Sequence, residues 1–148
     1  MTESNPRDPL WEERVRSSFA RQAFMQHLGV EIGHLAPGEV DLVLPFRAEL
    51  TQQHGYFHAG TTATISDSAA GYAALSLYPR GSGVLTTEFK INLLNPGEGE
   101  VMVARGRVIK AGRTLSVCRA DAYGRLHGVE KHVATAIVSL ICLEGLDD

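Results

Sequence analysis

Only two cysteines occur in the 148 residues, Cys118 and Cys142, each isolated in an apolar run without metal-ligand spacing. That excludes a disulfide framework and a thiolate metal site, and predicts two buried free thiols in a reducing compartment. Positive charge is not in excess either. The formal net charge is −3, so nothing favours neutralising a phosphate backbone and nucleic acid is not expected as a partner. No apolar run approaches membrane-spanning length, and residues 1–9 hold two prolines and charges of both signs instead of an apolar signal core. These absences predict a cytoplasmic protein without membrane contact, its residues 1–9 forming a flexible tail. Also missing are a G-x-S-x-G nucleophile elbow, a glycine-rich dinucleotide fingerprint and a phosphate loop.

What is there fits one globular domain over residues 10–148, with ordinary hydrophobic and charged fractions of 44% and 21%. From Leu10 to Leu28, Trp11, Val15, Phe19 and Ala23 recur every four positions with Phe24 and Leu28 alongside, an amphipathic helix broken once and stopped by Gly29. A short strand to His34 and the turn Ala36-Pro37-Gly38 follow. Val40, Leu42, Leu44 and Phe46 then alternate with polar residues as a half-buried strand. A second helix is expected from about Gly60 to Leu77, ended by Pro79 and Gly81-Ser82-Gly83. Four strands come next in an uninterrupted meander: Val84–Leu94 with Leu85, Phe89, Ile91 and Leu93 as its apolar set, Val101–Lys110, Thr114–Tyr123 and Lys131–Cys142. The pattern is α+β, with a long helix packed on one face of an antiparallel sheet.

The central helix is mostly Gly, Ala, Ser and Thr, with a single charge at Asp67. Such thin residues suit a helix wrapped closely by a sheet, and an acid two turns inside it costs free energy unless paired, hydrated or used. Just upstream, Gln52-Gln53-His54-Gly55-Tyr56-Phe57-His58-Ala59-Gly60 reads as a loop turning at Gly55 and entering the helix near Ala59 or Gly60. The helix start behind His58 offers free N–H groups and the positive end of a dipole, suited to developing negative charge. A carboxylate and an oxyanion-type donor set in one segment point to acyl transfer or hydrolysis. His54 and His58 are four apart, but Gly55 lies between them and no third ligand is evident, so no metal site is expected. Arg105, Arg107, Lys110 and Arg113 cluster around one hairpin, as a solvated surface or as a seat for a phosphorylated ligand tail.

Loop, helix and sheet together resemble the hotdog fold, and the loop resembles that of the PaaI-like (phenylacetate-pathway type) acyl-CoA thioesterases. The family's pattern is an amide residue, then Gly, then His-Gly-Gly entering the helix, then an acid nine residues after the His. Here Gln52 falls on the amide position with Gln53 as its neighbouring alternative, Gly55 on the first Gly, His58 on the His, Ala59 and Gly60 on the Gly pair, and Asp67 on the acid. The segment Gly83–Phe89 continues the likeness, with Thr86 where many members carry a hydroxyl near the thioester. The sequence departs from the pattern twice, with Gln for the commoner Asn and Ala59 for the first Gly of the pair, which a backbone N–H role tolerates at negative φ.

The resemblance implies a homodimer, paired into a homotetramer or dimer of dimers, with acyl-CoA as substrate, coenzyme A and a free acid as products, and no separate cofactor. By that analogy Asp67 of one chain faces Gln52 and the helix N-terminus of its partner. Asp67 serves as general base or nucleophile, the Ala59 N–H and Gln52 (or Gln53) as oxyanion donors, His58 as orienting residue and Thr86 as a holder of water. Gly55 and Gly60 shape the substrate loop, while Lys110 and Arg113 meet the coenzyme phosphates. Two other hotdog functions stand beside this one, hydration of an enoyl-CoA and non-catalytic acyl-CoA sensing.

Overall fold

The computed structural model describes residues 5–146 and residue 148. Two helices open it, α1 (Trp11–Arg21) and α2 (Ala23–Leu28), separated at Gln22, whose backbone is extended. Val15 and Phe19 are buried as their spacing predicts. The break rotates the phase of α2, so that Met25 and Leu28 face the core and Phe24 is left 55% exposed. Gly29, at φ +77°, ends α2 with the left-handed residue that a helix stop of this kind requires.

Strand β1 (Glu31–Ala36) turns at Pro37-Gly38 into β2 (Glu39–Pro45), which buries Val40, Leu42 and Leu44 as its alternation predicts. After the central helix α3 (Ala59–Leu75) come β3 (Ser82–Leu93), β4 (Val101–Ala111), β5 (Leu115–Leu126) and β6 (Val129–Glu144). All pairings are antiparallel, in the order β1-β2-β4-β5-β6-β3. The meander is therefore interrupted. β3 crosses to the far edge beside β6, and β4 pairs with β2 and β5. The β5–β6 hairpin turns through His127 and Gly128 at φ 50° and 77°, the pair of positive angles a two-residue hairpin loop needs.

This is the hotdog arrangement, with α3 lying across one face of the sheet. Close approach is possible because both sides are thin. Ala69, Ala70, Ala73 and Ala74 of α3 meet inward residues Ala104, Gly106, Ala120, Ala122, Ala134 and Ala136. A Cβ at Gly106 would lie 2.3 Å from the Ala69 carbonyl oxygen, so glycine alone fits there. Small apolar and small polar residues occur on both the buried and the open faces of α3 (Thr62 and Ser66 are buried, Ala59 is exposed), which is why it reads from composition and not from periodicity.

The far end of α3 is held by Arg14 of α1, whose guanidinium donates to the carbonyls of Leu75, Tyr78 and Pro79 at 2.7–3.0 Å. A cation suits the negative end of a helix dipole and satisfies carbonyls that no longer have helical partners. The expected loose tail is corrected here. Residues 1–4 lie outside the described residues, but Asp8 is buried, pairing with Arg14 and Arg80, and Arg7 donates to the Leu77 carbonyl. Both cysteines are buried free thiols, and burial pushes the Cys118 thiol up to about 12. No helix among the described residues is long and apolar enough to cross a membrane.

A β-bulge at Thr87 corrects the reading of β3. Thr86 pairs with Leu140 and Glu88 with Ser139, so Thr87 is the extra residue. The bulge flips the side-chain alternation. Thr86 joins Phe89, Ile91 and Leu93 on the inner face, and Leu85 goes to the outer one. As an edge strand β3 leaves Leu85, Phe89 and Leu93 about half exposed (51%, 46% and 53%), an apolar edge without a cover in the single chain.

Candidate active site

The approach to α3 is a wound loop. The Gln52 N–H donates to the Tyr56 carbonyl and the Gly55 N–H to the Gln52 carbonyl, a turn that Gly55 permits with φ +84°. Phe57 anchors it. The side chain is buried edge-on against Phe46, and the Phe57 N–H donates to the Gly97 carbonyl at 2.8 Å. The His58 N–H donates to Leu50, so the chain enters α3 from a fixed angle.

His58 is the N-cap. Its Nδ1 accepts the Gly60 N–H at 2.8 Å, and its carbonyl accepts the N–H groups of Thr61 and Thr62. An accepting Nδ1 assigns the ring hydrogen to Nε2 in the neutral form. The Gly60 N–H is engaged within the chain, and a Cβ there would crowd the His58 ring at 3.0 Å. Of the first four helical N–H groups, that of Ala59 alone makes no hydrogen bond among the described residues. Ala59 has a negative φ, so its methyl group is no obstacle to that role.

Gln52 lines the same cleft as this free donor. Its Oε1 accepts the His54 N–H, which orients the amide so that its NH₂ is left to donate. Gln52, His58, Ala59 and Leu93 line one cleft of about 560 Å³, whereas Gln53 is exposed, hydrogen-bonds the His54 ring and takes no part in that wall.

Asp67 lies eight residues beyond Ala59, about 12 Å down the axis and turned by roughly a quarter circle. It is half-buried, not sunk in the core, and its Oδ1 accepts the Thr86 hydroxyl at 2.7 Å. The bulge at Thr87 is what aims that hydroxyl inward. Ser66, its neighbour, is buried on another side of the helix. Asp67 and Thr86 line a different cleft, of about 400 Å³, which has no residue in common with the one at Gln52. One chain thus carries both halves of the sequence-predicted constellation and keeps them apart. The wall of the Asp67 cleft includes Ser18, Arg21 and Gln22 of the N-terminal helices and Tyr72 of α3, which the sequence reading did not find.

The four basic residues of the hairpin divide. Arg105 pairs with Glu130 at 2.8 Å and lies over the Tyr123 ring, and Arg107 pairs with Asp41 at 2.6 Å. Both belong to an ion-pair network on the sheet. Lys110 and Arg113, in no such ion pair among the described residues, line a third cleft of about 1060 Å³ with Arg7, Leu77 and the paired Arg107, beyond the C-terminal end of α3. Neither Gln52 nor Asp67 reaches it within one chain.

The family model of the thioesterase superfamily matches residues 54–129, just over half of the chain. The crystal structure of a thioesterase family protein from Silicibacter pomeroyi is 50% identical, with a TM-score of 0.90 over 91% of this chain and 99% of that one. Human acyl-coenzyme A thioesterase 13 is 28% identical over 118 residues, which are 78% of this chain and 84% of that protein. The PaaI protein of the E. coli phenylacetic acid degradation operon shares the fold, with a TM-score of 0.80 at 20% identity, over 91% of this chain and 94% of that one.

The cap gives a direct structural test. His58→Ala removes the acceptor for the Gly60 N–H and is expected to cost about 1 kcal/mol, a fall in melting temperature of a few degrees. His58→Asn supplies another capping acceptor and should recover most of that loss. Equal melting temperatures for all three proteins would contradict the capping role.

Proposed function

This chain belongs to the thioesterase superfamily, and from that membership we propose that it hydrolyses an acyl-CoA thioester to a free acid and coenzyme A, at sites each shared by two chains. The observation that carries this reading is the pair of half-sites, an ionisable Asp67 with its Thr86 donor in one cleft and a free Ala59 N–H beside the Gln52 amide in another. The uncovered apolar edge of β3, which begins next to the Asp67 cleft and ends at the Gln52 cleft, supports pairing with a second copy.

In this mechanism the thioester carbonyl oxygen lies against the Ala59 N–H and the Gln52 NH₂ of one chain. As the carbonyl carbon is attacked, its oxygen gains negative charge that these fixed donors stabilise. Asp67 of the other chain drives the attack, either by taking the proton of a water that adds to the carbonyl or by adding its own carboxylate oxygen. Thr86 occupies Oδ1, leaving Oδ2 for that task. When water is the nucleophile, collapse of the tetrahedral adduct breaks the carbon–sulfur bond, and the thiolate of coenzyme A takes the proton that Asp67 removed from the water. When the carboxylate attacks, collapse leaves an acyl–Asp67 anhydride, which a water then hydrolyses to the free acid and the Asp67 carboxylate, one proton of that water going to the thiolate. His58 holds the helix start in position and does not move the proton.

Release of free thiol from a panel of acyl-CoAs, followed with a thiol-reactive dye, tests the reaction. Asp67→Asn should lower turnover roughly a hundred- to ten-thousandfold, and Gln52→Ala about a hundred- to thousandfold, acting on kcat more than on KM. Undiminished turnover in a folded Asp67→Asn protein would end the assignment. Loss of enoyl absorbance without thiol release would replace hydrolysis by hydration, and binding with neither would leave a sensor.

Lys110 and Arg113 are proposed to meet the coenzyme phosphates, since no hydrogen bond or ion pair within the described residues engages either side chain. Changing both to Ala should raise KM for a full acyl-CoA, leave kcat nearly unchanged and spare a pantetheine thioester lacking the nucleotide. The effect should shrink with added salt, because exposed charges are screened over roughly 8–10 Å. Equal KM values for the two proteins on the full acyl-CoA would show that the pair only solvates the hairpin.

A further inference from the structure

Gly71 is a glycine in the interior of a long buried helix, where every residue but proline is a better helix former. Packing does not demand it. Unlike Gly106, where an added Cβ would run into backbone, a Cβ at Gly71 would meet only Leu140 Cδ2 at 3.8 Å, an ordinary contact. The missing side chain instead opens space. Gly71 and Leu140 both line the Asp67 cleft, and Gly71 stands one helical turn beyond Asp67 on the same face of α3.

Asp67, Gly71 and Tyr72 of α3, Val84 and Thr86 of β3 and Ser18 of α1 all line this cleft, Ser18 and Tyr72 marking the side where α1 meets α3. There the Ser18 and Tyr72 hydroxyls are 3.3 Å apart, and either can be the donor. Two hydroxyls joined by one hydrogen bond still have one hydrogen and several lone pairs to offer. Burial raises the Tyr72 phenol above its ordinary value, against the smaller opposing effect of Ser18, so it remains an O–H group. Gln22, on the same side, has a buried amide oxygen without a partner among the described residues. Tyr72 is five residues past Asp67, about 7.5 Å along the axis, which limits what can extend between them. Two carboxylates, Asp67 and Asp148, face one cation, Arg21, in this cleft, a balance that disfavours an anionic guest.

We propose that this cleft is the acyl-binding groove, that Gly71 sets its width, and that it selects short neutral acyl groups with a hydrogen-bonding group at the far end. The assignment rests on the thioesterase reading for its substrate and on the cleft itself for its shape.

The test compares acetyl-CoA, hexanoyl-CoA and omega-hydroxyhexanoyl-CoA as substrates, with S-methyl and S-hexyl coenzyme A thioethers as non-hydrolysable ligands. Wild type should favour the hydroxylated chain, and Tyr72→Phe should reduce that preference roughly two- to tenfold while leaving hexanoyl-CoA unaffected. Gly71→Leu should lower kcat/KM for the six-carbon substrates about tenfold or more and spare acetyl-CoA, with Gly71→Ala between the two. Gly71→Ala adds a methyl group that fits and favours helix, so its melting temperature should not fall. A loss equal for acetyl- and hexanoyl-CoA would mean that the groove takes the coenzyme arm, and overturns the proposal. So would unchanged kinetics in both Gly71 variants, or a wild type indifferent to the hydroxyl group. Should wild type hydrolyse none of the substrates, the hydrolytic reading falls by itself. The groove then stands if S-hexyl-coenzyme A binds wild type more tightly than the S-methyl compound and loses that advantage in Gly71→Leu, and falls if chain length has no effect on binding or the advantage survives in Gly71→Leu.

Discussion

The distance between α3 and the sheet governs much of this molecule. The Ala69 carbonyl would lie 2.3 Å from any Cβ at Gly106, and alanines line most of the remaining contact. A helix drawn in this closely has no room for an ordinary polar stripe, so its one acid must open toward an edge. Asp67 does so at the β3 side, where it is half-buried and held by Thr86. The same closeness pins the start of α3. Leu50 and Gly97 bind the loop ahead of it, and His58 caps the first turn, leaving the Ala59 N–H free next to Gln52. The chemical groups are therefore placed by the core and not by flexible surface segments.

What could be read from the sequence followed from how local each signal was. The loop from Gln52 to Gly60 and the acid at Asp67 lie on one short stretch, so a helix start and a carboxylate could be considered together, the family resemblance supplied the amide at Gln52, and the thin composition of the helix announced its burial. Strand order was not legible in that way. Sequence neighbours usually pair, yet β3 crosses to the far edge, because α3 and the long β6 leave it a place there. The bulge at Thr87 also escaped notice, since a run of alternating residues looks the same with or without one extra. Its consequence was large, exchanging Leu85 for Thr86 on the inner face.

The wall built by α1 shows the same limit. Ser18, Arg21 and Gln22 reach the Asp67 cleft only because Val15 and Phe19 dock the helix on α3, with Arg14 fastening its far end. Periodicity marked the apolar face of that helix and was silent about where its polar residues would end up. The turn at His127-Gly128 was missed for a different reason, as histidine is an unusual residue at positive φ. The anchoring of Asp8 depends on arginines 6 and 72 residues away in the chain, so a polar, proline-bearing segment read as loose.

The central claim is that the two clefts complete one another across a pair of chains. Folded Asp67→Asn and Gln52→Ala proteins, each nearly inactive alone, can be mixed under conditions where subunit exchange is followed independently by mass. In a mixed dimer one site carries both lesions and the other carries neither. Random exchange makes half of the dimers mixed, so activity should rise to about a quarter of the wild-type value. Complete exchange with no recovery of thiol release would contradict the account and assign each site to a single chain.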